Sequence, residues 1–438
     1  MTTSERADEV EVRRPIGTAV GISLFAAASV LPLLRQRGNP SWDSLWAEDG
    51  FLLYQDVLDS GPIEPILRGY TGYLVLLPRL LAIPLHWVAP EHVAAYCAVV
   101  AAAVTAVLAT LTYRWTAGWI ASTPVRLALC ALVVLMPAAA LENTAVLVNT
   151  IWALVCVAPW AVLSRQDGRA DVAARAVVLF LAATSTPVAI LFLPPALVWT
   201  WRERRRRGLL VVTAAFLAGS LLQLAAMALT DDDLVPTEPE RPAVDFARLL
   251  LVRLFAVALV GPEQAARLWL DHGLVIGAVA AAIVIVLLVL LARRADRRSQ
   301  LLGVGFAIAG VLLLFALVWS RGTLPWRFGG PFNMRAHMRY TVPAVFLLAS
   351  GFAVLVGNPP AHEPSGRVRR LAVPLFVAHT ALLVVLCFPT VGYRGLGPGW
   401  GEHVREGSTR CQTDDVALVP QDVTPFWGVR IPCDQLPG

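Results

Sequence analysis

The chain has 438 residues, 57% of them hydrophobic and only 15% charged, with a mean hydropathy of +0.64. No soluble core of this size needs so much apolar sequence, whereas a polytopic membrane protein does. The formal charge is +5 and all 36 basic residues are arginine, which excludes chemistry that needs a lysine amine: Schiff bases, pyridoxal phosphate anchoring and the P-loop.

In chain order, apolar segments cover 16–34, 72–90, 93–113, 125–141, 145–163, 172–201, 208–230, 274–292, 301–319, 340–357 and 371–388. A full span needs about 20 residues. Arginine-rich turns at 202–207, 293–298 and 367–370, together with Arg13-Arg14, mark the cytoplasmic side by the positive-inside rule. Charge gathered beside apolar runs is a topology signal, so no nucleic-acid partner is expected. The all-arginine, Ala/Val/Leu-rich composition suggests a GC-rich bacterial genome, hence a bacterial cytoplasmic (inner) membrane.

An even number of crossings must separate Arg14 from Arg202. Either 72–90 spans and 172–201 is one long helix, or 72–90 stays on the outer face and 172–201 is a hairpin broken at Thr184-Ser185-Thr186-Pro187. The second fits better. Pro187 after three hydroxyl residues is a strong helix break, and Arg79, Pro78 and Pro84 make 72–90 a poor lipid-facing span. The expected fold is an all-α polytopic membrane protein of about 11 transmembrane helices. Residues 1–15 form a cytoplasmic tail, 16–388 the membrane domain, and 389–438 a small extracytoplasmic domain.

Four regions then face outward: 35–91, 141–144 with Asn149 nearby, 231–272 with a surface helix expected over 246–260, and 321–339. The cytoplasmic turns carry little but arginine. That asymmetry favours a surface-acting enzyme over an alternating-access transporter, which needs polar residues reachable from both sides.

The first outer region reads Trp46-Ala47-Glu48-Asp49-Gly50. Adjacent acids just past a first span suit a proton acceptor, a metal ligand or a sugar-hydroxyl partner. They also suit a plain interfacial loop in which Asp49-Gly50 starts a helix. Glu142 and Asn143 occupy a turn with almost no other polar residue, where a carboxylate is costly unless it meets water, a metal or an arginine. Asp231-Asp232-Asp233 reads as a solvated loop.

An acidic pair in the first outer loop resembles the acidic motif of the GT-C membrane glycosyltransferases. The likeness extends to surface helices in that loop, short paired early spans and a small C-terminal outer domain, and it covers the topology of most of the chain. It implies transfer of a sugar from a polyprenyl-phosphate donor to a glycan, lipid or protein acceptor on the outer face. An acidic residue of the loop is the general base in that family; Asp49 is taken first, with Glu48 orienting the acceptor or holding a cation. A divalent cation on Glu48 and Asp49 is one option, since some members use one and others do not.

The leaving phosphate needs fixed positive charge, which arginine supplies as a bidentate fork. Arg321, Arg327, Arg335 and Arg339, with His337, crowd the fourth outer region; ordinary headgroup anchoring is the competing reading. Arg335 and Arg339 share a helical face if span ten begins early. Arg339-Tyr340 leading to Pro343 resembles the arginine–tyrosine entry to a late span in that family, and acids of the second loop contribute to its sites, so Glu142 and Asn143 join the candidates. Arg68 and Arg79 either balance Glu48 and Asp49 or bind the donor. The alternatives to an enzyme are a non-catalytic transporter of lipid-linked glycans and a structural subunit of an envelope-assembly complex.

Cys97, Cys130, Cys156 and Cys387 lie in apolar runs as small hydrophobes. Cys411 and Cys433 lie in the polar tail, beside strand-like pieces at 416–419 and 427–431. A disulfide between them closes a loop of about 20 residues and adds on the order of 3 kcal/mol, on the oxidising side of the membrane. A tail of about fifty residues buries little core by itself.

Overall fold

A computed structural model describes residues 18–139, 142–230, 243–321, 338–358, 367–389, 393–396, 398–411, 416–421 and 424–436. The apolar runs form helices α1 (Thr18–Val30), α2 (Val93–Trp115), α3 (Thr123–Leu135), α4 (Thr150–Leu163), α5 (Arg169–Ser185), α6 (Leu193–Arg202), α7 (Arg207–Leu229), α8 (Leu274–Ala292), α9 (Arg297–Arg321), α10 (Val342–Gly357) and α11 (Arg367–Leu386). Among the described residues, five helical stretches are long and apolar enough to cross a membrane: Pro90–Gly118, Arg207–Leu229, Leu274–Ala292, Arg297–Ser320 and Met338–Gly357. The stretch containing α10 is 83% buried and runs through the middle of the bundle, whereas α8 is 22% buried. Val275, Val279, Ile283, Val286 and Leu290 of α8 are exposed at helical spacing, a stripe suited to lipid.

Polar contacts sort the helix ends into two groups. At one end Arg114 of α2 pairs with Asp171 of α5, and Arg206, just before α7, pairs with Asp167, just before α5. There Asn358, after α10, donates to the Trp119 carbonyl and to Ser299 Oγ of α9. At the other end Arg35 donates to the carbonyls of Met136 and Cys387, past the ends of α3 and α11.

Helices α5 and α7 run in the same direction, with Gly208 facing Val172 and Gly219 facing Phe180. A Cβ on Gly219 would lie 2.8 Å from the Phe180 carbonyl oxygen, so this close crossing depends on glycine. The chain must therefore return between them. It breaks at extended Thr186 and comes back through the tight turn Pro187–Phe192 and α6, because Pro187 bars Thr186 from helical geometry. Segment 72–90 holds no long helix, only Leu76–Ala82 and the tight turn Ile83–Trp87. It docks on the end of that helix pair: the Leu77 N–H donates to Ser185 Oγ, and Leu74 exchanges two bonds with Gln223.

The expected surface helix over 246–260 is not at the surface. Residues 243–260 are helical throughout, with Val252, Arg253 and Leu254 fully buried and Leu251 against Gly277 of α8. Apolar residues on nearly every side leave this segment no polar face to turn to water.

The C-terminal part comprises α12 (Trp400–Arg410) and the antiparallel strands β1 (Val416–Gln421) and β2 (Thr424–Pro432), where Ala417 pairs with Ile431 and Val419 with Val429. These four side chains pack with Trp400 and Val404 into the same core as Leu45, Trp46, Leu53 and Val57 of the first loop. The Cys411–Cys433 disulfide is formed. Trp400 Nε1 donates to the Pro90 carbonyl, the Gly401 N–H to Asp43 Oδ1, and Gln55 and Arg430 exchange two bonds. The unit completes its hydrophobic core on the first loop, as its small size requires.

Candidate functional site

Glu48 and Asp49 occupy the first turn of a helix that starts at Ala47 and passes through a π-helical stretch, Asp49–Tyr54. Both carboxylates are buried, at 6% and 1% exposure, and they point to different partners. Asp49 Oδ1 accepts the Val148 N–H at 2.7 Å and Oδ2 the Leu147 N–H at 2.8 Å. Burial pushes the Asp49 carboxyl up to about 7, against the pull of those two N–H groups and of nearby Arg394. Asp49 thus clamps the second loop to the first.

Glu48 faces α10. Its Oε1 accepts from an Arg339 guanidinium nitrogen at 3.0 Å. The Arg339 backbone N–H donates to Glu142 Oε2 at 3.2 Å, and Arg339 Nε lies 4.0 Å from the same oxygen. One arginine therefore bridges the acids of the first and second loops. Asn149 Nδ2 holds the Glu142 backbone carbonyl at 2.9 Å. The Arg339 guanidinium lies over the Tyr340 ring, which packs edge-on against Trp152 at 5.1 Å. Tyr70 completes the rim; burial, with Glu48 nearby, raises the pKa of its hydroxyl.

Among the described residues, several buried atoms on these segments have no hydrogen-bond partner, including Glu48 Oε2, Asn143 Oδ1, Thr341 Oγ1 and the indole nitrogens of Trp46 and Trp152. Such atoms are costly in a folded protein and concentrate at functional sites.

Arg68 and Arg79 do not balance the Glu48-Asp49 pair. Arg79 donates to Asp56 Oδ2 at 2.7 Å, and Arg68 to Asp56 Oδ1 at 3.0 Å and Glu64 at 2.7 Å. Asp56, further along the same helical stretch, offers each arginine one oxygen, while Asp49 is satisfied by backbone groups and Glu48 by Arg339. Span ten does not begin early either: α10 starts at Val342, after the tight turn Met338–Tyr340. Pro343 in its first turn favours that start, so Arg339 sits in the turn and not on a helix face. Arg327, Arg335 and His337 lie outside the described residues, as do Asp231 to Asp233, and Arg321 ends α9.

The sequence reading missed Arg253. It is fully buried in a second π-helical stretch, Leu249–Ala256, with a guanidinium nitrogen 3.7 Å from Met338 Sδ, and it is coupled electrostatically to Glu142. The signal was available: a lone arginine inside an apolar run marks a site or a buried partner. Both π-helical stretches thus adjoin this cluster, and π-turns recur at functional sites. Arg394 was also missed. It holds the loops together through the carbonyls of Ser41, Ser44 and Thr144.

Among the described residues no group of three His, Cys, Asp or Glu side chains is arranged to hold a metal ion. The two acids diverge, Asp49 toward backbone N–H donors and Glu48 toward Arg339. No protein-family model matches the chain, and no curated protein matches it.

Proposed function

We propose that this protein is a membrane glycosyltransferase resembling the GT-C class, moving a sugar from a polyprenyl-phosphate donor to a glycan, lipid or protein acceptor. The observation that carries the proposal is the Glu48–Arg339–Glu142 cluster, drawn from three distant segments onto one end of an apolar bundle. In the proposed topology α1 to α11 are successive crossings of a bacterial cytoplasmic membrane, the N-terminus is cytoplasmic, and the cluster faces outward. The arginine-rich turns at the opposite end support that orientation.

Glu48 is the preferred base. Among the described residues its Oε2 has no hydrogen-bond partner, whereas both Asp49 oxygens are taken by backbone donors. Glu48 accepts the proton of the acceptor hydroxyl as its oxygen bonds to the anomeric carbon, and the bond from that carbon to the phosphate oxygen breaks. The departing lipid phosphate is stabilised by Arg339 and Arg253, with the 321–337 arginines as further donors. An apolar cavity of about 550 Å³ between α3, α8, α10 and α11, lined by Leu132, Met136, Leu287, Val345 and Phe376, suits a hydrocarbon chain. Its Met136–Ala138 wall directly precedes the Glu142 turn.

The test is transfer by the purified chain from a panel of polyprenyl-phosphate sugars. Glu48→Gln is expected to lower turnover by roughly 10²–10⁴, with the fold intact. Full turnover by this variant removes the proposed base; turnover by no member of the panel, with lipid-linked sugar instead flipped across vesicles, favours a transporter.

A further inference from the structure

At the end of the bundle opposite the acidic cluster, the buried Trp119 ring has two cations against it. The Arg298 guanidinium carbon lies 4.0 Å from the ring centroid and that of Arg165 5.0 Å. The ring is fixed from below: Trp119 Nε1 donates to the Leu163 carbonyl at 2.7 Å, and Trp199 of α6 packs against it at 5.6 Å. Two like charges are thus gathered on one aromatic ring, no further apart than those two distances together.

Their neighbours are satisfied elsewhere. Asp167 is taken bidentately by Arg206, Asp171 by Arg114, and Asp296 by the N–H groups of Arg298 and Ser299. Glu203 acts on both guanidiniums electrostatically but forms no ion pair with either. Among the described residues neither the Arg165 nor the Arg298 guanidinium has a hydrogen-bond acceptor. The buried arginines at this end, Arg175 and Arg126, donate to backbone carbonyls.

The surroundings are apolar and exposed. Trp201 is 70% exposed and Leu301 67%, and Leu197 and Val198 of α6 are exposed as well. A tryptophan at the end of an apolar helix marks headgroup depth. Cations at headgroup level beside exposed apolar helix faces match a two-part ligand, an anion with hydrocarbon attached.

We propose that Arg165 and Arg298, bridged over Trp119, form a binding site for the phosphodiester of an anionic phospholipid in the leaflet at the arginine-rich end, with its acyl chains along α6 and the start of α9. One phosphate accepts from both guanidiniums and so relieves their mutual repulsion, an arrangement for which arginine's planar fork is suited. This site is independent of the proposed transferase chemistry, which lies at the other end.

The experiment is phosphatidylglycerol binding to the full-length protein purified in detergent, read by native mass spectrometry, with phosphatidylcholine and inorganic phosphate as separate arms. Wild type should retain phosphatidylglycerol in preference to phosphatidylcholine, and R165Q/R298Q should bind it at least about tenfold more weakly. Single R298Q replaces a solvent-exposed side chain, so the fold is expected to hold, and it should show an intermediate loss. Equal retention by wild type and both variants overturns the proposal. Displacement of phosphatidylglycerol by millimolar inorganic phosphate overturns its lipid part, since the acyl chains would then add nothing.

Discussion

Replacing Arg339 by glutamine tests whether the acidic cluster is one electrostatic unit. Arg339 is 17% exposed, and its partners Glu48 and Glu142 are 8% and 11% exposed, so solvent screens the pair little. Removing one side of a buried ion pair costs about 3–5 kcal/mol, because the remaining charge stays buried without a partner. Glu48 would be stranded here, whereas Glu142 keeps the residue-339 backbone N–H and its coupling to Arg253, and residual water at the rim offsets part of the cost, so we expect about 3 kcal/mol for Arg339→Gln. Glu48→Gln should cost less, about 1 kcal/mol, since Arg339 keeps Glu142. The double variant pairs two amides and leaves Glu142 on the residue-339 backbone N–H, without the nearby guanidinium charge. It should therefore lose about 2 kcal/mol, leaving a coupling of about 2 kcal/mol. Reversible unfolding of the four proteins in detergent measures this cycle. Losses that add to within about 0.5 kcal/mol would refute the reasoning, because they would make Arg339 and Glu48 energetically independent.

Asp49 should make stability depend on pH in a definite direction. Its folded pKa of about 7 is above the ordinary 3.8, so the folded chain holds a proton that the unfolded chain releases. The stability from this proton is complete below about pH 4, is lost as pH rises toward 7, and changes little above that. Unfolding measured from pH 4 to 8 should show this decline in wild type and a flatter profile in Asp49→Asn; parallel profiles count against it. For the disulfide, Cys411→Ser with Cys433→Ser should destabilise the C-terminal unit by about 3 kcal/mol. Because that unit shares its core with the first loop, limited proteolysis should then speed up in both segments. Faster cleavage of the tail alone would show that they fold separately.

Composition and arginine spacing were enough to establish a multi-helix apolar bundle. The reason is local: long apolar runs can satisfy their backbone only as helices, and Pro187 breaks its segment whatever surrounds it. The disulfide was legible for the same kind of reason, since its cysteines are the one pair outside the apolar runs. The acidic pair was legible as a site, but its wiring was not. Adjacent residues on a helix point different ways, and only the packed structure sends Asp49 to the backbone of residues 147–148 and Glu48 to Arg339, almost 300 positions away. Charge counting left Arg68 and Arg79 open between two roles, and only the packed structure pairs both with Asp56. The helix around Arg253 was expected at the surface because sequence pattern alone does not separate an apolar helix lying on a bundle from one buried in it. The sequence by itself determined which segments become helices and which end collects arginine. Tertiary structure decided which charges meet, because partners in a buried cluster are chosen by distance in space, and distance along the chain carries no record of it.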